Sequence, residues 1–233
     1  MPDTSVPDLQ PGDQRPSWAR PAAAPESRAA VAVAIAAAVT LQLAIPERFT
    51  AVPRWPVITL ELLLLTVMLT VNPFTTSRKT LLGTWTSRVL TAAITIDNSA
   101  SAAVLDYRIL SGHVTDTAAV LLGSGAAIYI TNMIAFGVWY WEFDRGGPYA
   151  RFVGARRHPD LLFPQMSDPD NTPPGWRPTF VDYLYVSFTN SVAFSPTDTM
   201  PLARWAKLMM AVQATVATTT IALVFTRAVG LLT

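Results

Sequence analysis

The chain has no cysteine, two histidines and little charge: 14% of its 233 residues are Asp, Glu, Lys or Arg, and the net charge is +1. The missing thiols exclude disulfides, thiolate metal sites and cysteine nucleophiles, and leave the redox compartment open. A net charge near zero gives no global field to draw nucleic acid or acidic substrates, so no nucleic-acid partner is expected. His113 and His158 stand alone in loops with no partner at metal-ligand spacing. Nothing resembles a phosphate-binding loop, and Gly123-Ser124-Gly125 lacks the strand–turn–helix setting of a hydrolase nucleophile. No nucleophile–base pair or metal cluster is legible, so neither an enzyme nor a cofactor is expected, and a membrane enzyme ranks last among the functions weighed.

Hydrophobic residues are abundant, 51% of the chain, and fall into blocks near bilayer-spanning length. About 20 apolar residues cross the hydrocarbon core as a helix, with roughly 17 as the lower limit. The blocks run from Ala29 to Ile45, Val57 to Val71, Leu81 to Leu105, Thr117 to Trp141, Thr179 to Phe194 and Leu202 to Val229. The expected fold is an all-α, polytopic transmembrane bundle of six hydrophobic segments, the fifth short enough either to cross or to be re-entrant. Residues 1–28 carry six prolines among scattered charges and read as a disordered cytoplasmic tail, with a cleaved signal peptide as the competing reading. Residues 29–141 hold four spans, 142–178 a basic Pro-rich loop, and 179–233 a half-helix, a polar turn and a long terminal helix. The Trp139-Tyr140-Trp141 cluster reads as an interfacial aromatic belt, Glu142 to Pro148 as a charged exit turn, and Gly123 and Gly125 as a slim surface for helix packing.

Basic residues set the orientation. With six crossings and a cytoplasmic N-terminus, twelve Lys and Arg fall inside and five outside; with a re-entrant fifth segment the split is thirteen to four. Both favour an inner-membrane protein with its N-terminus in the cytoplasm, and six crossings put the C-terminus there too. Arg156-Arg157-His158 reads as a solvated patch attracted to anionic lipid.

Polar groups within the apolar blocks are the candidate site. Asp97 at a helix centre costs about 2.5–3.5 kcal/mol to insert, so it should face protein or water. Ser101 lies one turn on and shares its face; Asn98 and Thr95 point elsewhere and should bond to other helices. Asn132 with Thr131, Asp182, Asn190 and Gln213 are further polar candidates for an ion path or for interhelical bonding, and Glu61 reads as an interfacial, snorkelling side chain. Thr215, Thr218, Thr219 and Thr220 are expected to bond back to their own helix.

The segment Asp182-Tyr-Leu-Tyr-Val-Ser-Phe-Thr-Asn-Ser-Val-Ala-Phe-Ser-Pro-Thr-Asp198, with the helix after it, resembles the closing part of a bacterial inner-membrane family known as domain of unknown function 1345. The Trp139-Tyr-Trp-Glu-Phe-Asp-Arg-Gly-Gly-Pro148 stretch is similar to a related actinobacterial group. That resemblance implies membrane location and no activity. More faintly, the same segment is similar to the potassium-channel pore module, with Ser191, Val192, Ala193, Phe194 and Ser195 at the filter positions and Asp198 after a two-residue insertion. Ala193 and Ser195 carry a Cβ where that filter has glycine, and Pro196 lacks a donor, so the resemblance implies a degenerate filter at most. Two functions are expected in order: channel-like transport of protons or small cations, then a non-conducting scaffold or partner subunit. The bilayer, a small cation or proton and a second copy of the chain are the expected partners.

Overall fold

A computed structural model of the protein describes residues 15–71, 81–114, 116–168, 170–192 and 198–232. Among them the chain is all-α apart from one short strand pair. The helices are α1 (Ala29–Ala44), α2 (Arg54–Val71), α3 (Leu81–Leu110), α4 (Ala118–Phe143), α5 (Pro148–Phe152), α6 (Pro164–Ser167), α7 (Phe180–Val192) and α8 (Arg204–Leu232). Strands β1 (Leu161–Leu162) and β2 (Met200–Pro201) pair antiparallel. Local chemistry sets several boundaries. Proline at 46 forces Ile45 into an extended conformation and ends α1, and Pro148 and Pro164 open α5 and α6 at positions that need no amide donor. Thr117 caps α4 by accepting from the Val120 amide at 3.4 Å.

Helix α4 is the central post, packed against α1, α3, α7 and α8. Its glycines permit close approach. A Cβ on Gly125 would lie 2.8 Å from Val224 Cγ1 of α8, and one on Gly137 would lie 3.2 Å from the Leu184 Cα of α7. Gly123, expected to share this packing role, faces open space.

The bundle has two distinguishable ends. The proximal end holds the start of α1 beside the end of α4, where Arg28 lies 5.7 Å from the Trp141 ring centroid. The start of α3 is there as well, with Ser87 donating to Glu142 at 2.7 Å. At the distal end Arg48 pairs with Asp116, tying the α1–α2 turn to the α3–α4 turn. Helix α8 begins at the proximal end, with Trp205 5.5 Å from the Phe143 ring, and finishes at the distal end, where Arg227 donates to the Val114 carbonyl at 3.1 Å.

Helix α7 starts at the proximal end, where the Tyr183 hydroxyl donates to Asp144 at 2.7 Å. By Met200 the chain is back at that end, paired with Leu162, and the Leu202 amide donates to the Asp160 carbonyl at 2.9 Å. Thirteen residues make a helix of about 20 Å, short of the ~30 Å hydrocarbon thickness. Helix α7 therefore reaches only part-way along the bundle before the chain returns to the proximal end, and the described chain begins at one end of the bundle and finishes at the other. This corrects two expectations. A six-span bundle is not supported, α7 being too short for a crossing of its own, and α8 finishes at the end of the bundle opposite residues 15–28, which does not support placing both ends of the chain on one side. Among the described residues two helical stretches are long and apolar enough to cross a membrane, Ala118–Gly146 and Arg204–Leu231. Helix α1 is apolar but has only 16 residues, and α3 is long but polar.

Residues 15–28 are not a loose tail. Arg151 forms a two-pronged ion pair with Glu26 at 2.8 and 2.7 Å, and Trp141 Nε1 donates to Glu26 at 2.8 Å. Arg145 donates to the Trp18 carbonyl at 2.6 Å, and Arg177 donates to the carbonyls of Ser17, Arg20 and Pro21. The expected exit turn after α4 is likewise buried rather than solvated. Asp144 accepts from the amides of Asp160 and Leu161 and from Tyr183. Arg145 sits at φ 53°, a backbone region uncommon for a residue with a Cβ, and its own amide donates to Asp160 at 2.7 Å. Burial works against the charge on Arg151, but Tyr183, Glu26 and Asp144 around it outweigh that and raise its pKa above the usual guanidinium value. Tyr140 and Trp141, expected in an interfacial belt, point into the core. The exposed tryptophans are Trp55 and Trp85, at the distal start of α2 and the proximal start of α3, 67% and 62% accessible.

Candidate functional site

The expected polar residues separate into two clusters of different character. The first joins α4, α7 and α8 at mid-bundle around Gln213, which is fully buried. Its carbonyl oxygen accepts from the Tyr140 hydroxyl at 2.6 Å and from Asn190 Nδ2 at 2.9 Å. Its amide nitrogen donates to the Ser187 carbonyl and hydroxyl and to the Ser191 hydroxyl, at 2.9, 2.6 and 2.8 Å. Asn132 Nδ2 reaches the Gln213 backbone carbonyl at 3.3 Å, and Asn190 also reaches that of Met210 at 3.0 Å. Every side-chain polar atom of Gln213 is thereby engaged, so the cluster fastens the half-helix between two long helices and leaves no open ligand for an ion.

The second cluster lies between α1, α2 and α3. Gln42 Nε2 donates to Asp97 Oδ2 at 3.3 Å. Glu61 is 0% accessible, and neither of its carboxyl oxygens has a hydrogen-bond partner. The Gln42 carbonyl oxygen is also buried without a partner. Glu61 occupies a face otherwise made of Ile58, Leu65 and Met68, which turns inward. The expectation that it snorkels to an interface is wrong: the inward side of α2 is set by helical spacing, and Glu61 is on it.

Along α3 the unmet polar atoms continue. The Asn98 carbonyl oxygen, the Ser101 hydroxyl and Asp106 Oδ1 are buried without partners, as is the Thr131 hydroxyl on facing α4. Asn98 donates to the Ile128 carbonyl at 3.1 Å, and Thr95 accepts from Trp139 Nε1 at 2.9 Å, so both bond to another helix as expected. Asp106 accepts from Thr220 of α8 at 3.2 Å. Buried orphans of this kind are uncommon in folded proteins.

The remaining candidates go elsewhere. Asp182 caps the start of α7, accepting from the amide and hydroxyl of Thr179 at 2.7 and 2.8 Å, so it is a helix cap rather than part of an intramembrane path. Ser191 and Val192 form the last turn of α7, not a filter backbone; Ala193, Phe194 and Ser195 lie outside the described residues; Asp198 is exposed. Thr215 bonds back to the Ala211 carbonyl, while Thr220 reaches across to Asp106. Sequence reasoning missed Gln42 as the partner of Asp97 and Glu61 as a buried side chain. The available signal was their position: Gln42 extends the buried stripe Val31, Ile35, Ala38 and Val39, as Glu61 interrupts that of α2.

Compared with family models, curated proteins and solved structures, the chain finds no match.

Proposed function

We propose that this is an integral membrane protein, with five crossing helices and α7 re-entrant, that passes protons or small cations along α3. The observation carrying the reading is the run of buried, unpartnered polar atoms on α3 beside Asp97. An intramembrane acid of this kind is a default pointer to an ion or proton pathway. Membrane location is supported by the two long apolar helices and by large exposed side chains such as Val33, Leu63, Ile96, Leu208 and Phe225 on the helices around the bundle. Trp55 and Trp85 at opposite ends fit two interfacial anchors. Among the described residues eleven Lys and Arg cluster towards the proximal end (Arg15, 20, 28, 88, 145, 151, 156, 157, 177, 204 and Lys207) and four towards the distal end (Arg48, 54, 108 and 227). That bias favours a cytoplasmic proximal end and hence an exported C-terminus. Kinship with the unknown-function family belongs to the same proposal, which does not depend on it.

Flux of protons, potassium and sodium into liposomes carrying the purified protein tests this reading, with Asp97→Asn and Asp198→Asn alongside. Flux lost in Asp97→Asn supports the α3 route; loss in Asp198→Asn alone moves the path to the α7–α8 connection; silence from folded protein under every gradient sinks conduction. A second reading is a homo-oligomeric or partner-bound scaffold. It is favoured by the outer face of α7, where Val181, Tyr185, Phe188 and Val192 stay exposed at helical spacing on a segment too short to span.

A further inference from the structure

The proximal end of the bundle holds two guanidinium groups with donors to spare. Arg28, at the start of α1, is 7% accessible, and neither its Nε nor its Nη1 has a hydrogen-bond partner. Its guanidinium lies over the Trp141 ring, 5.7 Å from the centroid. Arg88 of α3 lies over the Phe143 ring at 5.3 Å, and its Nε is also buried without an acceptor. Between Trp141 and Phe143 comes Glu142, held by the Ser87 hydroxyl at 2.7 Å. It is 3.9 Å from the Arg88 Nε, which is ion-pair range but too long for a hydrogen bond. Helical register brings Arg28 to the same level. The Gln42–Asp97 bond sets the parallel helices α1 and α3 at an offset of 55 residues, which puts Arg28 level with Gly83, one turn before Ser87.

These charges do not balance. Glu142 is a single carboxylate beside two guanidinium groups, and the neighbouring acid, Glu26, is committed to Arg151 and to Trp141 Nε1. Asp144 is taken by Arg145, by Tyr183 and by the amides of Asp160 and Leu161. Helix starts favour negative charge, yet the first turns of α1 and α3 hold no acidic residue. A buried guanidinium without acceptors is costly, so the arrangement calls for one more anion. The forked donors of arginine match the oxygens of a phosphate group.

We propose that Arg28 and Arg88 bind the phosphate group of an anionic membrane lipid at the proximal end of the bundle. The outer face of α3 selects this source of phosphate. Leu82, Trp85, Val89 and Ile96 are exposed at spacings of three, four and seven, an apolar stripe running away from the proximal end. Arg88, its side chain 32% accessible, sits at the margin of that stripe beside Val89 and one turn past Trp85. A lipid phosphate on the two arginines lays an acyl chain along the stripe, whereas a free phosphate leaves it bare. The side agrees as well, because a cytoplasmic proximal end faces the leaflet that carries the anionic headgroups. The site rests on the membrane location proposed above and not on ion passage.

To test it, the full chain in dodecyl maltoside is titrated with phosphatidylglycerol or phosphatidylcholine, and bound lipids are counted by native mass spectrometry. The first phosphatidylglycerol should bind about tenfold more tightly than the first phosphatidylcholine, a difference worth about one charge-assisted hydrogen bond. Arg28→Gln and Arg88→Gln should each weaken that first phosphatidylglycerol by about tenfold. Arg156→Gln, which removes an equal charge from an exposed stretch of the loop, should leave it unchanged. Arg88 is partly exposed, so Arg88→Gln decides the matter if Arg28→Gln does not fold, with helicity checked by circular dichroism. Equal binding of the two lipids, or undiminished phosphatidylglycerol binding by folded Arg88→Gln, overturns the proposal. So does an equal loss in Arg156→Gln, which would mean diffuse attraction to a basic end. Displacement of phosphatidylglycerol by an equimolar amount of inorganic phosphate overturns it too, by naming free phosphate as the occupant. Failure of the membrane reading shows separately, as a chain that stays soluble without detergent and does not float with phosphatidylcholine liposomes. A chain that floats but has no lipid preference keeps the membrane location and sinks the site.

Discussion

Gln213 and Glu61 are both buried polar side chains in an apolar bundle, yet their surroundings are opposites. Around Gln213, Tyr140, Asn190, Ser187 and Ser191 saturate both ends of the amide. Around Glu61, two carboxyl oxygens and the Gln42 carbonyl wait for a donor. The two kinds of site use the same inventory of side chains, and only the count of donors against acceptors separates them. A saturated network resists change because each member orphans another when removed, whereas an unsaturated one loses no partner when its orphaned member goes.

Substitutions can break or sharpen this contrast. The largest effect is expected for Gln213→Leu, which leaves the Tyr140 hydroxyl without its acceptor, at about 1–3 kcal/mol for the orphaned group, and takes from Asn190 one of its two acceptors. Thermal unfolding in detergent, followed by circular dichroism, should show a clear loss; an unchanged midpoint would mean the network contributes nothing. Gly125→Val should come next, because its side chain would collide with Val224, with overpacking costing about 1–3 kcal/mol. The same melts read it out. Tyr140→Phe should cost less, about 1 kcal/mol, since Asn190 still satisfies the Gln213 oxygen. At Glu61 the sign should reverse: Glu61→Leu removes orphaned atoms from an apolar stripe and should raise the midpoint. A fall there comparable to that of Gln213→Leu would erase the distinction between the clusters. Ser101→Ala should be the smallest change, near neutral, because the hydroxyl it deletes has no partner.

The sequence made some of this legible. Helices α4 and α8 stand out by hydropathy, and the outward bonding of Asn98 and Thr95 follows from helical geometry. Glu61 was hidden because Leu60, Leu62 and Leu63 around it are also apolar while facing outward, so α2 shows no polar face against which to judge which side is in. The half-helix was hidden for a different reason. Sixteen apolar residues sit at the edge of spanning length, and what decides the matter is the pairing of Leu161–Leu162 with Met200–Pro201 across the loop. Docking of residues 15–28 depends on an ion pair and a side-chain to main-chain hydrogen bond over more than a hundred positions, which no local pattern encodes.

That last feature puts a clock on assembly. Glu26 leaves the ribosome early, and its partner Arg151 follows 125 residues later. At roughly 5–20 residues per second the interval is on the order of ten seconds. During it α1 to α4 are synthesised while Glu26 has no Arg151 to pair with. The segment made first among the described residues thus waits for the loop after α4 before it can dock, and the loop reaches it before α7 and α8 have been made.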